Sequence, residues 1–312
     1  MWKFPLVKQT ARRILGSMVP KMVSALGNGA PKARIPGMIT AHEIAFYKES
    51  AARYTGKPGA IVDLGCWLGS TSIALAQGLL SGSPNGNVRN EKVLGFDIFV
   101  WEEWMPAHIP YCFYRPGESF LPEARRLTCE HGGGKVELIQ ADLSVYEWTG
   151  APIKILLVDA MKSEDLARRI AKNFYPHLTP GSLLIHQDFK HYYTSWVHLL
   201  QYQLREFFRF YRSVPRSGAV AFEGLAPIPM EIVERATDFA NIPDDQVEKS
   251  FHYSIDLVGA DDCTDVAAAH VMHYVHLGRK DRAYQTFEIY RSLGMSDKGE
   301  FPKVISRLEQ SE

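Results

Sequence analysis

The chain has 312 residues, and its 35 Lys+Arg balance its 35 Asp+Glu, so the formal net charge is zero and no global nucleic-acid-binding signature is present. Hydrophobic residues make up 46%, ample for a full core in one large α/β domain with additions or in two domains. Cys66, Cys112, Cys129 and Cys263 are scattered without a C-x-x-C pair, which supports neither a zinc site nor a disulfide framework and leaves free thiols in a reducing cytoplasm as the expectation.

Residues 1–41 carry seven bases and no acid. Ile14, Leu15, Met18, Val19, Met22, Val23 and Leu26 recur at helical spacing, predicting one or two basic amphipathic helices restarted at Pro20. No continuous apolar stretch follows the bases, so a secretory signal is not expected. Such a helix either packs over the active site or a partner subunit, or lies on a membrane surface. No apolar run approaches the roughly 18 residues of a membrane span. Gly27 to Gly37 reads as a Gly/Pro-rich linker, and a helix opening near Thr40 leads to the central stretch, GAIVDLGCWLGSTSIALAQG (Gly59–Gly78).

That stretch predicts a buried strand (Ala60–Leu64), a glycine turn (Gly65–Gly69) and a helix from about Ser70, with Ser70 and Thr71 as good N-cap residues. A strand, a tight turn and a helix N-terminus form a small-molecule crevice in an open α/β sheet. A dinucleotide site would read G-x-G-x-x-G. Here the pattern is D-x-G-x-x-x-G, and the next strand-end acid, Asp97, closes Lys92–Ile98. Phe99, Trp101 and Trp104 then wall a ligand or fill a buried turn. A helix over Ser119–His131 precedes a third strand, Lys135–Gln140, followed by Asp142 and Leu143. The fourth strand, Ile153–Val158, is unbroken apolar after Lys154, as suits a central parallel strand, and ends at Asp159. A helix over Ser163–Tyr175, a turn at Leu178–Gly181 and a fifth strand, Ser182–Ile185, complete the alternation. Tyr192–Phe208 reads as an aromatic helix, and Phe210–Val214 with Ser217–Leu225 as a hairpin. Four helices follow over Met230–Ala240, Asp244–Leu257, Cys263–Leu277 and Arg279–Leu293. His270, His273 and His276 turn too far round their helix for all three to share one ion, although neighbours could, and they read as surface and interface residues.

The Asp63, Gly65, Gly69, Asp97 set resembles the first motif of the Rossmann-like S-adenosylmethionine (SAM) methyltransferases. The segment carrying Asp159, Ser163, Tyr175-Pro176, Leu178, Pro180-Gly181 and Asp188 is similar to the metal-dependent sugar O-methyltransferases of the macrocin and mycinamicin type. The likeness covers about residues 38–225. It implies a doubly wound, mostly parallel seven-stranded sheet with an antiparallel edge hairpin. With the helical periodicity on either side of it, the chain is expected to comprise N-terminal basic amphipathic helices and a linker over residues 1–37, a SAM-binding domain over 38–227 and a helical C-terminal extension over 228–312. The implied cofactor residues are Asp63, Gly65, Cys66, Trp67, Gly69, Ser70, Asp97, Ile98, Asp142, Leu143 and Asp159. The implied Mg²⁺ ligands are Asp159, Gln187 and Asp188, where Gln187 departs from the family's carboxylate. Asp159, Lys162, His186 and His191 are the catalytic candidates. Lys162 acts as a base only if its pKa is depressed, and is otherwise an exposed residue at a helix start. The expected activity is O-methylation of a hydroxyl on a glycoside or other small metabolite, by a cytoplasmic protein that uses no nucleic acid and forms a homo-oligomer through its helical extensions. The alternative is a non-catalytic SAM-binding or scaffolding protein of the same fold.

Overall fold

The structure, a computed structural model, describes residues 35–83, 90–109 and 114–310. The chain divides into two compact units, Met1–Ile35 and Pro36–Glu312, and every element below belongs to the second. The predicted basic helices lie outside the described residues.

Five parallel strands carry the site: β1 (Ala60–Leu64), β2 (Val93–Asp97), β3 (Val136–Gln140), β4 (Ile153–Val158) and β5 (Leu178–His186). β6 (Phe208–Ser213) and β7 (Val220–Gly224) add an antiparallel edge, giving the order β3-β2-β1-β4-β5-β7-β6. This is the Rossmann-like doubly wound sheet, and its order reverses between β1 and β4, where such sheets open a crevice at their carboxyl ends. All six residues of β4 are buried, as its apolar run dictates. Lys154 escapes the penalty at the strand's entrance, where its Nζ donates to Lys57 O and Glu91 Oε2 at 2.8 and 2.6 Å.

Helix α1 (Ala41–Tyr54) starts at a capping box: Thr40 Oγ1 accepts from Glu43 N, and Glu43 Oε2 accepts from Thr40 N. It packs Phe46, Tyr47, Ala51 and Tyr54 inward. Helix α2 (Ser70–Gly82) begins differently from expectation. Its N-cap is Gly69 at φ +88°, with no side-chain cap. The hydroxyls of Thr71 and Ser72 turn instead to Asp63. Helices α3 (Leu121–His131), α4 (Glu164–Phe174) and α5 (Ser195–Gln203) complete the layers. α5 is shorter than the predicted 192–208, because a short 3-10 turn over Arg205–Phe207 hands the chain to β6. The predicted turn at Leu178–Gly181 survives as an irregularity within β5, with Leu178 opposite Ile153, Leu183 opposite Ile155 and Gly181 at φ +79°.

The C-terminal layer comprises α6 (Met230–Ala236), α7 (Asp244–Val258), α8 (Cys263–His276), α9 (Lys280–Ser292) and α10 (Phe301–Gln310). α6 stops before the predicted Ala240. The Thr237 hydroxyl bonds back to Val233 O at 2.9 Å, a bond that competes with continued helix. One apolar core runs from the sheet (Leu156, Val158, Phe222) through α5 to Phe251, Val271 and Phe301 of this layer. The expectation of surface histidines is corrected here. His270 and His273 are 1% and 6% exposed, because α8 is the central helix of its layer and is apolar nearly all round. The His270 ring stacks on Phe251 at 4.3 Å. His276 is exposed, stacked on Trp196.

Candidate active site

The site grows from the carboxyl ends of β1, β2 and β4. Gly65 turns the chain at φ +84°, and a Cβ there would lie 2.7 Å from the Asp159 carbonyl oxygen, so only glycine lets these two strand ends close up. Asp97 closes β2 and reaches into the Gly65–Gly69 bend: its Oδ2 accepts from Trp67 N at 2.9 Å and its Oδ1 from Phe99 N at 2.8 Å. Trp67 and Phe99 are both left-handed, at φ 48° and 53°, a cost of about 1–3 kcal/mol for such residues that is met where surrounding contacts over-determine the backbone. Burial pushes the Asp97 carboxyl up, and the two N–H groups pull it back.

Beside them opens a cleft of about 1010 Å³. Gly65, Trp67, Asp97, Ile98, Asp142, Leu143, Asp159 and Lys162 all line it. The other sequence candidates do not. Asp63 is fully buried and its Oδ2 takes the Thr71 and Ser72 hydroxyls at 2.6 and 2.5 Å, tying the bend to α2. Burial raises its carboxyl to about 6. Cys66 is buried, and burial pushes its thiol well up. Gly69 and Ser70 shape the bend without lining the cleft. His186 lies in the core, its Nε2 3.2 Å from the Tyr175 hydroxyl and its ring against Phe189 and Phe222. Burial lowers its pKa to about 3. It is a neutral core histidine.

A second cavity of about 330 Å³ holds Gln187, Asp188 and His191, and shares Met38 with the cleft. Asp262, Asp265 and Glu300 of the C-terminal layer line it, as does Glu43 of α1. Those residues carried no sequence signal. Trp104 did, as part of an aromatic run: it lines the cleft and packs on Trp67 at 5.7 Å, whereas Phe99 and Trp101 fill the core.

Lys162 links the two cavities. Its Nζ donates to Asp159 Oδ1 at 2.6 Å and to Asp188 Oδ2. Burial works against the ammonium, but the two carboxylates outweigh it and hold Lys162 above its ordinary value. A base needs the opposite shift. Burial likewise pushes the Asp159 carboxyl up, against the pull of Lys162. The residues expected to hold Mg²⁺ do not fit it. The carbonyl oxygen of Gln187 already accepts the Tyr47 hydroxyl at 2.7 Å, and an ammonium lies between the carboxylates. Among the described residues no group of three or more His, Cys, Asp or Glu is arranged to hold a metal ion.

The groups present do suit SAM. Each Asp97 oxygen keeps a lone pair beyond its backbone bond, as ribose hydroxyls require. Trp67 Nε1, in a residue of the cleft wall, is buried with no partner among the described residues.

No family model matches the chain, and no curated protein matches it. Among solved structures the chain is similar to the O-methyltransferase NovP, at 17% identity over 62% of this chain and 84% of that one, with a TM-score of 0.47. It is similar to CalS11, a TDP-rhamnose 3'-O-methyltransferase of calicheamicin biosynthesis, at 16% identity over 58% and 78%, with a TM-score of 0.41. An rRNA methylase from Streptococcus thermophilus aligns at 17% identity over 61% and 99%, with a TM-score of 0.39.

Proposed function

We propose that this chain is a SAM-dependent methyltransferase that methylates a hydroxyl of a small polar acceptor. The observation that carries the reading is the Asp97 carboxylate, fixed by Trp67 N and Phe99 N at the head of a deep cleft. When bound, SAM supplies a methyl group on a sulfonium, transferred by in-line displacement, so catalysis is mostly positioning. Asp97 would accept from its ribose hydroxyls, Trp67 Nε1 would donate to it, and Ile98 and Leu143 would provide apolar walls. Asp142 is exposed at the cleft and holds its carboxyl low through the Ser144 hydroxyl and N–H, ready to accept from an amino group. The acceptor would enter the second cavity, where Asp188 is the carboxylate within reach of both spaces through Lys162. Asp188 would take the hydroxyl proton as the new oxygen–carbon bond forms. Five carboxylates line that cavity (Glu43, Asp188, Asp262, Asp265, Glu300) against two cations, Lys190 and Arg216, an acidic excess that disfavours an anionic acceptor and suits hydroxyls that donate.

Calorimetry with SAM and its demethylated product tests this. Both are expected to bind. Asp97→Asn is expected to weaken them by about 1.5–3 kcal/mol, the worth of hydrogen bonds to a charged group, or roughly 10- to 150-fold. No heat with either ligand removes the reading, and tight binding of NAD in their place would replace it with a dinucleotide enzyme.

A further inference from the structure

Asp159 and Asp188, at the ends of β4 and β5, face one cation, and that cation belongs to the chain. Lys162 is held there by its backbone position. It immediately precedes Ser163, the N-cap of α4, whose Oγ accepts from Leu166 N at 3.2 Å. The third oxygen at the same strand end, Gln187 Oε1, receives the hydroxyl of Tyr47, a side chain with no exposed surface. We propose that Lys162 is a built-in cation standing where a divalent metal would otherwise sit, so that this site excludes metal and presents an ammonium N–H to the acceptor oxygen instead.

The argument is one of charge and geometry. Mg²⁺ needs near-octahedral oxygens at about 2.0–2.1 Å and is drawn by the number of ligand charges. Here two carboxylates are available, both already bonded to an ammonium, and the third ligand is a neutral amide oxygen with one of its two lone pairs taken by Tyr47. A divalent ion entering between them would meet a like charge at contact distance. The ammonium has three N–H groups and spends two on Asp159 and Asp188. The third has no partner among the described residues and can donate to an oxygen lying between the two cavities. Lys162 thereby keeps its proton and acts as a positioning residue, and Gln187 serves to anchor Tyr47.

The catalytic half of this inference rests on the transferase reading; the exclusion of metal does not. The test is Mn²⁺ binding to the full-length protein followed by electron paramagnetic resonance, without SAM, so its failure is distinct from a failure to bind SAM. The unsubstituted protein is expected to leave Mn²⁺ free. Lys162→Ala, which bares the two carboxylates, is expected to bind it at least about tenfold more tightly, as a change in local ligand charge dictates. Lys162→Arg keeps the cation and is expected to behave as the unsubstituted protein. Lys162 is half-exposed, and circular dichroism verifies that each variant folds. Tight Mn²⁺ binding by the unsubstituted chain overturns the proposal, as does equal affinity in it and in folded Lys162→Ala.

Discussion

Asp63 and Asp97 stand near the ends of neighbouring strands with the same side chain and opposite duties. Asp97 faces a ligand space, whereas Asp63 is sealed and holds two hydroxyls of α2. Asp63→Ala would orphan Thr71 and Ser72, both buried, at about 1–3 kcal/mol each. A loss of about 2–4 kcal/mol is expected in urea unfolding at pH 7; a loss below about 0.5 kcal/mol would show that the hydroxyls find other partners. The Asp63–Gly65–Asp97 frame was legible in the sequence because it is local: strand, bend and next strand-end lie close along the chain, and period and glycine placement reveal them. The partner of each acid was not legible. Whether a strand-end carboxylate turns outward or inward depends on hydroxyls and N–H groups that only the folded bend supplies. Lys162 shows the same limit, since its role is decided by Asp188, which lies 26 residues on, just past the end of β5.

At the scale of the element, α8 is the most informative. Its histidines read as polar from composition, yet the helix is buried from Val266 to Tyr274. Burial lowers His273 to about 3. His198 on α5, wedged between Phe189 and Phe251, is lowered to about 3 as well, and neither of its ring nitrogens has a partner among the described residues. A histidine whose folded pKa lies below its unfolded value of about 6.5 favours the fold fully above that value, and withdraws the contribution as pH falls towards the folded pKa. The melting temperature is therefore expected to drop between about pH 6.5 and pH 3. His198→Leu, which removes one titrating group, should shallow that slope. Asp63 acts oppositely: its carboxyl, raised to about 6, contributes stability at low pH that is lost as pH rises from about 4 through 6. A melting temperature flat from pH 7 to 4 in both proteins would refute the histidine account. α10 was missed in the sequence although Phe301, Val304 and Leu308 keep helical spacing. Lys298 to Glu300 precede it as an irregular stretch, and a ten-residue pattern at the end of a chain is a weak periodic signal.

At the scale of the molecule, the sheet and the C-terminal layer differ in architecture but share a core. The doubly wound order was legible from alternating strands and helices; the shared core was not, because no periodicity states which outer face meets which. An ion pair with one buried member crosses the division: Lys190, 2% exposed, donates to the half-buried Asp262 at 2.6 Å and to Ser213 Oγ and Val214 O at 3.0 Å. Removing one member of such a pair costs about 3–5 kcal/mol, on top of the apolar surface that Phe251 and Phe301 would bare. A chain cut before Ile228 is accordingly expected to be insoluble or molten, scored by loss of near-ultraviolet circular dichroism, and a cooperative melt in that truncated chain would contradict this.

Asp262 is a brace for Lys190 and also part of the wall of the second cavity, along with Asp265 and Glu300. Evolution therefore has no free hand with the tail. Any substitution there that reshapes the second cavity also draws on what keeps the chain folded, so variants with an altered cavity would arise as fragile proteins first and be consolidated by repairs elsewhere in the helices.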